Sequence, residues 1–283
     1  MKNSRFTLFL LAVCLGLLSL PERPVSAFQV SSVNDLWIDL RMGAPLIPLY
    51  NEVARESDIA RVDDPAQIGQ LLATENGRRM VVFKSLAEAE TSLPQIASEI
   101  DVIGYNFEAN SATPSGELAD PLESIRAVRD LADEYDLRVA FGPDHDLALA
   151  HGVDMAPYVD IFVLQVQRQQ TNPQVVKEFV QPLIPQLREA NPDLEVSVQV
   201  RTEGDTDQII ELLDSLKADL DGVSILTSPD TVETAEALVR GLRAPETPFM
   251  IMVEEQPPWL YLALGVLLGV AGSFLYKRWR KKT

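Results

Sequence analysis

Eight polar side chains recur at or just past the downstream ends of short apolar runs: Lys84, Asn106, Glu108, Asp144, Gln165, Gln167, Gln199 and Arg201. Glu108 and Asp144 can give or take a proton, Lys84 and Arg201 are fixed cations, and the four amides both donate and accept hydrogen bonds. Amides suit hydroxyl-rich ligands, since a hydroxyl is also both donor and acceptor. Burying such groups unpaired costs about 1–3 kcal/mol each, so together they are expected to line a solvent-filled pocket. They act as one site only if the fold gathers those ends.

The elements that would gather them alternate along the chain. Runs rich in β-branched and aromatic residues predict strands at 36–41, 79–84, 101–108, 137–142, 160–167, 194–201, 222–227 and 249–253. Between them, Asp64-Pro65, Asp120-Pro121, Asn172-Pro173 and Ser228-Pro229 open helical stretches at 66–74, 122–135, 174–190 and 230–242. A capping side chain followed by proline at the first helical position is a strong start signal. Gly77 and Asn191-Pro192 supply stops. Eight strands alternating with helices give an α/β class and a (β/α)8 TIM-type barrel. A doubly wound open sheet is the alternative, and the absence of G-x-G-x-x-G counts against it. The connection 42–63 is long, contains two prolines, and could hide a different start to the barrel.

Side chains alternate across a strand, so each strand splits into two faces. Val196, Val198 and Val200 face the helices, leaving Ser197, Gln199 and Arg201 toward the barrel axis. The same split puts Val82 and Lys84, then Gly104, Asn106 and Glu108, then Ala140, Gly142 and Asp144, then Val163, Gln165 and Gln167 on the axial side. In every case the axial face turns polar only near the strand's C-terminal end, where barrels of this architecture carry their sites.

The segment Ile103-Gly104-Tyr105-Asn106-Phe107-Glu108, the Thr113-Pro114 loop with Asp120-Pro121, and residues 161–170 resemble extracellular (β/α)8 barrels of the glycoside-hydrolase type, a largely uncharacterised group, over about residues 80–242. The resemblance implies a carbohydrate or other polyhydroxylated ligand, with Lys84, Asn106, Gln165, Gln167, Gln199 and Arg201 binding it. For a hydrolase, Glu108 and Asp144 are the catalytic pair. They end strands predicted to be neighbours, about 4.8 Å apart, close to the separation of a retaining pair. Glu108 would be acid or base, Asp144 nucleophile or electrostatic partner, and Lys84 and Arg201 would tune them. Familiar sugar-cleaving barrels place their carboxylates on the fourth and seventh strands, whereas the seventh predicted strand ends in Thr227-Ser228. A non-catalytic ligand-binding or structural cell-surface protein therefore stands beside the hydrolase as a reading.

No cofactor and no metal is expected. His145 and His151 are the only histidines and form no H-x-x-x-H pattern. Asp144-His145-Asp146 is read instead as a helix start, with Asp146 capping the turn at 147–150. No G-x-S-x-G elbow is present.

The ends carry targeting signals. Lys2 and Arg5, an apolar run and Val25-Ser26-Ala27 predict an export signal at 1–27 that contains the only cysteine, Cys14. An extracytoplasmic domain follows at 28–256. The uncharged run within 257–276, flanked by aromatics, predicts a single transmembrane helix, and the basic tail 277–283 should stay cytoplasmic. Of 42 acidic and 24 basic residues, setting aside Lys2, Arg5, Glu22, Arg23 and the five basic residues of the tail leaves 41 against 16. So acidic a surface repels nucleic acid, which is excluded as a partner. With the last strand at 249–253 and the span starting a few residues later, the barrel's mouth is expected close to the membrane.

Overall fold

Eight parallel strands close on themselves in sequence order in the computed structural model, which describes residues 32–109 and 113–244. They are β1 (Trp37–Arg41), β2 (Ile59–Val62), β3 (Arg78–Phe83), β4 (Val102–Phe107), β5 (Arg138–Pro143), β6 (Ile161–Gln165), β7 (Glu195–Arg201) and β8 (Gly222–Leu226). β8 pairs with β1, setting Trp37 beside Gly222 and Asp39 beside Ser224. The helices are α1 (Ile47–Val53), α2 (Ile68–Leu72), α3 (Leu86–Ile96), α4 (Ser115–Ala119), α5 (Pro121–Glu134), α6 (His145–Met155), α7 (Pro173–Ala190), α8 (Thr206–Asp214) and α9 (Val232–Arg243).

The period-two alternation decides where each strand residue packs. Ile103, Tyr105 and Phe107 of β4, Val139 and Phe141 of β5, and Val196, Val198 and Val200 of β7 are buried under the helices in one large core. A separate core fills the barrel itself: Trp37, Ile59, Met80, Val82, Val102, Ala140, Ile161 and Val163. Trp37 lies flat against Gly222, where a Cβ would meet its ring at 2.1–2.3 Å. Gly104 is held bare in the same way, its missing Cβ 2.7 Å from Val82. With the lower barrel plugged by apolar groups, only the C-terminal ends of the strands are left to open as a pocket.

The four proline-led starts cap as their sequences require. Asp64 accepts from the Ala66 amide at 2.8 Å, Asp120 from Glu123 at 3.2 Å and Asn172 from Val175 at 3.4 Å, while Ser228 and Thr231 form a reciprocal box. Gly77 stops its segment with φ +81°, a conformation that favours glycine.

One strand differs from the sequence reading. The connection 42–63 contains β2, preceded by a 3-10 turn at Ala44–Leu46 and by α1, and the prolines start those helices. β2 spans only four residues around a buried arginine, so it lacks the apolar run that marks a strand. With β2 counted, the barrel closes without the predicted strand 249–253, which lies outside the described residues.

This changes where the chain leaves the barrel. β8 is followed by a full outer helix, α9, whose Arg243 donates to the carbonyls of Asn34 and Leu36 and to the Asp58 carboxylate. Those acceptors precede β1 and β2, so α9 ends at the face opposite the mouth. The expectation that the segment following the barrel starts from the mouth rim is therefore corrected. No helix among the described residues is long and apolar enough to cross a membrane. The predicted export signal at 1–27, the predicted span at 257–276 and the predicted cytoplasmic tail at 277–283 lie outside the described residues.

Candidate functional site

At the C-terminal ends of the strands a cavity of about 570 Å³ opens above the inner core. Lys84, Asn106, Glu108, Gln167, Gln199 and Arg201 all line it. Strand register explains much of the convergence: Gln165 pairs with Gln199, Gln199 with Ser224, and Ser224 with Asp39, so four polar side chains from β6, β7, β8 and β1 stand in one row.

Gln165 is the hub beneath the lining. Its Nε2 donates to the Gly142 carbonyl at 2.9 Å, to Glu108 Oε1 at 3.0 Å and to Asn106 Oδ1 at 3.4 Å. Its Oε1 accepts from Gln167 Nε2 at 2.9 Å. One side chain thus fixes the orientation of Glu108 and Gln167 at once. Gln167 Oε1 is buried with no partner among the described residues. The backbone below is closed by Thr113, which donates to the Asn106 carbonyl at 3.2 Å and accepts from the Glu108 amide at 3.4 Å.

The predicted carboxylate pair is not assembled at the cavity. Asp144 is absent from its lining: Oδ1 accepts from the Leu147 amide at 3.2 Å and Oδ2 from the Ala109 amide at 3.0 Å. It is the N-cap of α6, the role the sequence reading gave to Asp146. Strand pairing ends at Phe107 and Pro143, so the alternation that would aim Asp144 inward no longer applies one residue later. His145 turns its ring toward Phe179, with centroids 4.3 Å apart. Among the described residues no group of three His, Cys, Asp or Glu side chains could hold a metal ion.

A second set of lining residues escaped the sequence reading. Arg61 donates through Nε to Asp39 at 3.1 Å and through Nη1 to Asp63 at 2.9 Å, and Arg41 Nε reaches Asp63 at 2.8 Å. Ser224 donates to Asp39 at 2.6 Å. Asp39 is 1% exposed, and burial pushes its carboxyl above the ordinary range against the opposing pull of Arg61 and Ser224. Burial works against the charge on Arg61, but Asp39 and Asp63 outweigh it and hold its pKa above the usual arginine value. Arg61 therefore stays cationic, with Nη2 unpartnered among the described residues. The alternation applied to the other strands also puts Asp39 and Arg41 of β1 and Ser224 of β8 on the axial face. Arg61 and Asp63 carried no such signal, because β2 was read as part of a loop.

No known protein family matches the sequence, and neither does any curated protein. Among solved structures, the chain is similar to a glycoside hydrolase family 17 β-1,3-glucanosyltransferase from Rhizomucor miehei, with 10% identity, 70% of this chain and 88% of that chain covered, and a TM-score of 0.49. It is similar to hydroxymethylglutaryl-CoA lyase from Pseudomonas aeruginosa, with 13% identity, coverage of 75% and 86%, and a TM-score of 0.47. It is also similar to 3-keto-L-gulonate-6-phosphate decarboxylase from Vibrio cholerae, with 12% identity, coverage of 74% and 97%, and a TM-score of 0.45. The three catalyse different reactions, and likeness at this level selects none of them.

Proposed function

We propose that the mouth of this barrel binds a carbohydrate-like, polyhydroxylated ligand, and that the chain displays it outside the cytoplasm from a single membrane-spanning anchor at 257–276. The observation that carries the ligand reading is the amide relay. Gln167, Gln165 and Glu108 are linked in series at a cavity of about 570 Å³, with Gln199 on the neighbouring strand, so side chains that both donate and accept hydrogen bonds gather at one mouth, as a hydroxyl-rich ligand requires. Hydrolysis is the weaker form of the reading, because Asp144 spends both carboxylate oxygens on backbone amides. With β2 counted, Glu108 follows the fourth strand, but the seventh ends in Arg201 rather than a carboxylate. Of the carboxylates at the cavity, Asp39 and Asp63 are paired with Arg61 and Arg41 and Glu108 is held by Gln165, an arrangement that suits binding without turnover. The anchor rests on the uncharged run and its basic flank.

Calorimetric titration with a panel of neutral and charged saccharides tests the ligand. The expected result is saccharide binding that weakens at least tenfold in Glu108→Ala and stays within twofold in Asp144→Asn. Absence of binding across the panel, or equal loss in both variants, would overturn the reading. Protease protection of the 277–283 tail in sealed vesicles tests the anchor: a tail on the same side as the barrel would exclude it.

A further inference from the structure

The domain is strongly acidic, so its basic side chains have no shortage of partners. Among the described residues, every basic side chain but four holds a carboxylate or carbonyl oxygen. The four are Lys84, Arg168, Lys177 and Arg201, and all except Lys177 line the one cavity described above. Three unpaired cations gathered at a single pocket, in a chain of net charge −18, are poised for an anion from outside.

Two of the three are carried on one rigid unit. Arg168 follows β6 and Arg201 ends β7, and the two strands are neighbours. Gln170, 5% exposed, ties the loop of the first to the end of the second. Its Nε2 donates to the carbonyls of Arg201 and Glu203, each at 3.0 Å, and its Oε1 accepts from the Arg201 amide at 2.9 Å. The Val166 amide adds a bond to the Gln199 carbonyl at 3.2 Å. The backbones bearing both guanidinium groups are thus fixed before any ligand arrives, and Gln167 and Gln199 line the same cavity.

We infer that Arg168 and Arg201 form a clamp for one acid group, so that the ligand of this mouth is an acidic polyol, a sugar acid or a sugar phosphate, rather than a neutral sugar. This rests on the polyhydroxylated reading: the amides take the hydroxyls and the arginines take the carboxylate or phosphate. Arginine suits either anion, since its planar fork matches two oxygens at once. Lys84, after β3 on a different part of the rim, offers a second cationic contact. A chain of net charge −18 repels a polyanion that extends beyond the cavity, which favours a small molecule with one acid group.

The test is calorimetric titration of the full chain with glucose, glucuronate, glucose 6-phosphate, acetate and inorganic phosphate. At least one acidic sugar should bind tenfold or more tighter than glucose, and comparison of the two identifies the acid group. Arg168→Gln and Arg201→Gln should each remove most of that preference, and Lys177→Gln should leave it unchanged. Gln170→Leu should weaken the acidic sugars alone, as expected of a positioning residue. Equal affinity for glucose and both acidic sugars would overturn the clamp but leave the polyhydroxylated reading standing. A preference that survives both arginine substitutions would also overturn it. Acetate or phosphate binding as tightly as the acidic sugars would instead overturn the polyol half, and no binding by any sugar would overturn both.

Discussion

Replacing Gln165 by leucine probes the site at its hub. Leucine has nearly the same volume, and residue 165 continues the axial face above Val163, so no large cavity forms and the effect comes from hydrogen bonds. The substitution removes the bond to the Glu108 carboxylate at 3.0 Å, the bond to the Gly142 carbonyl at 2.9 Å and the acceptor for Gln167 at 2.9 Å. A bond to a charged group contributes about 1.5–3 kcal/mol and a neutral one about 0.5–1.5 kcal/mol. Water in the cavity can replace part of each, because these groups are only half buried. The expected loss of stability is therefore about 1–2 kcal/mol, well short of the sum, read from urea unfolding with an unchanged m-value. Ligand affinity should fall further. Glu108 and Gln167 both lose their fixed orientation, and at about 1.4 kcal/mol per factor of ten the loss of two positioned groups corresponds to roughly 10- to 100-fold. Titration of the saccharide panel measures it. Unchanged affinity alongside stability within about 0.5 kcal/mol of the parent would refute the claim that Gln165 organises the site.

Substitutions at two other positions test structural roles of a carboxylate and a glycine. Asp144→Ala should cost about 1 kcal/mol through loss of the α6 cap, and Asp144→Asn much less, with ligand affinity intact in both; loss of binding in Asp144→Asn at normal stability would return Asp144 to the site. Gly222→Ala should destabilise by about 1–3 kcal/mol, because the added methyl collides with a Trp37 ring that also carries the Arg78 guanidinium 5.4 Å from its centroid. Near-ultraviolet circular dichroism should report the displaced indole, and an unperturbed spectrum at parental stability would show that the barrel floor yields freely.

What could be read without the fold is what depends on local pattern. Alternation in 196–201 is enough to send three valines to the helices and Gln199 to the axis, and the caps of α5, α7 and the 3-10 turns that lead into α2 and α9 are written in four dipeptides. The barrel has eight strands, but β2 was read as part of a loop, and the predicted strand 249–253 lies outside the described residues. A four-residue strand centred on Arg61 is stable only because β1 and β3 flank it and Asp39 and Asp63 neutralise its charge. Apart from Asp63, those partners come from β1 and β3, outside any short window of sequence around Arg61. Asp144 shows the same limit from the other side: alternation aims it at the cavity, and two backbone amides, one of them 35 residues away, turn it into a cap. Sequence alone determined which faces are apolar and that polar groups collect at the strand ends. Only the closed barrel decided which of those groups share a pocket, because register, closure and the competition for hydrogen-bond partners act between strands rather than along them.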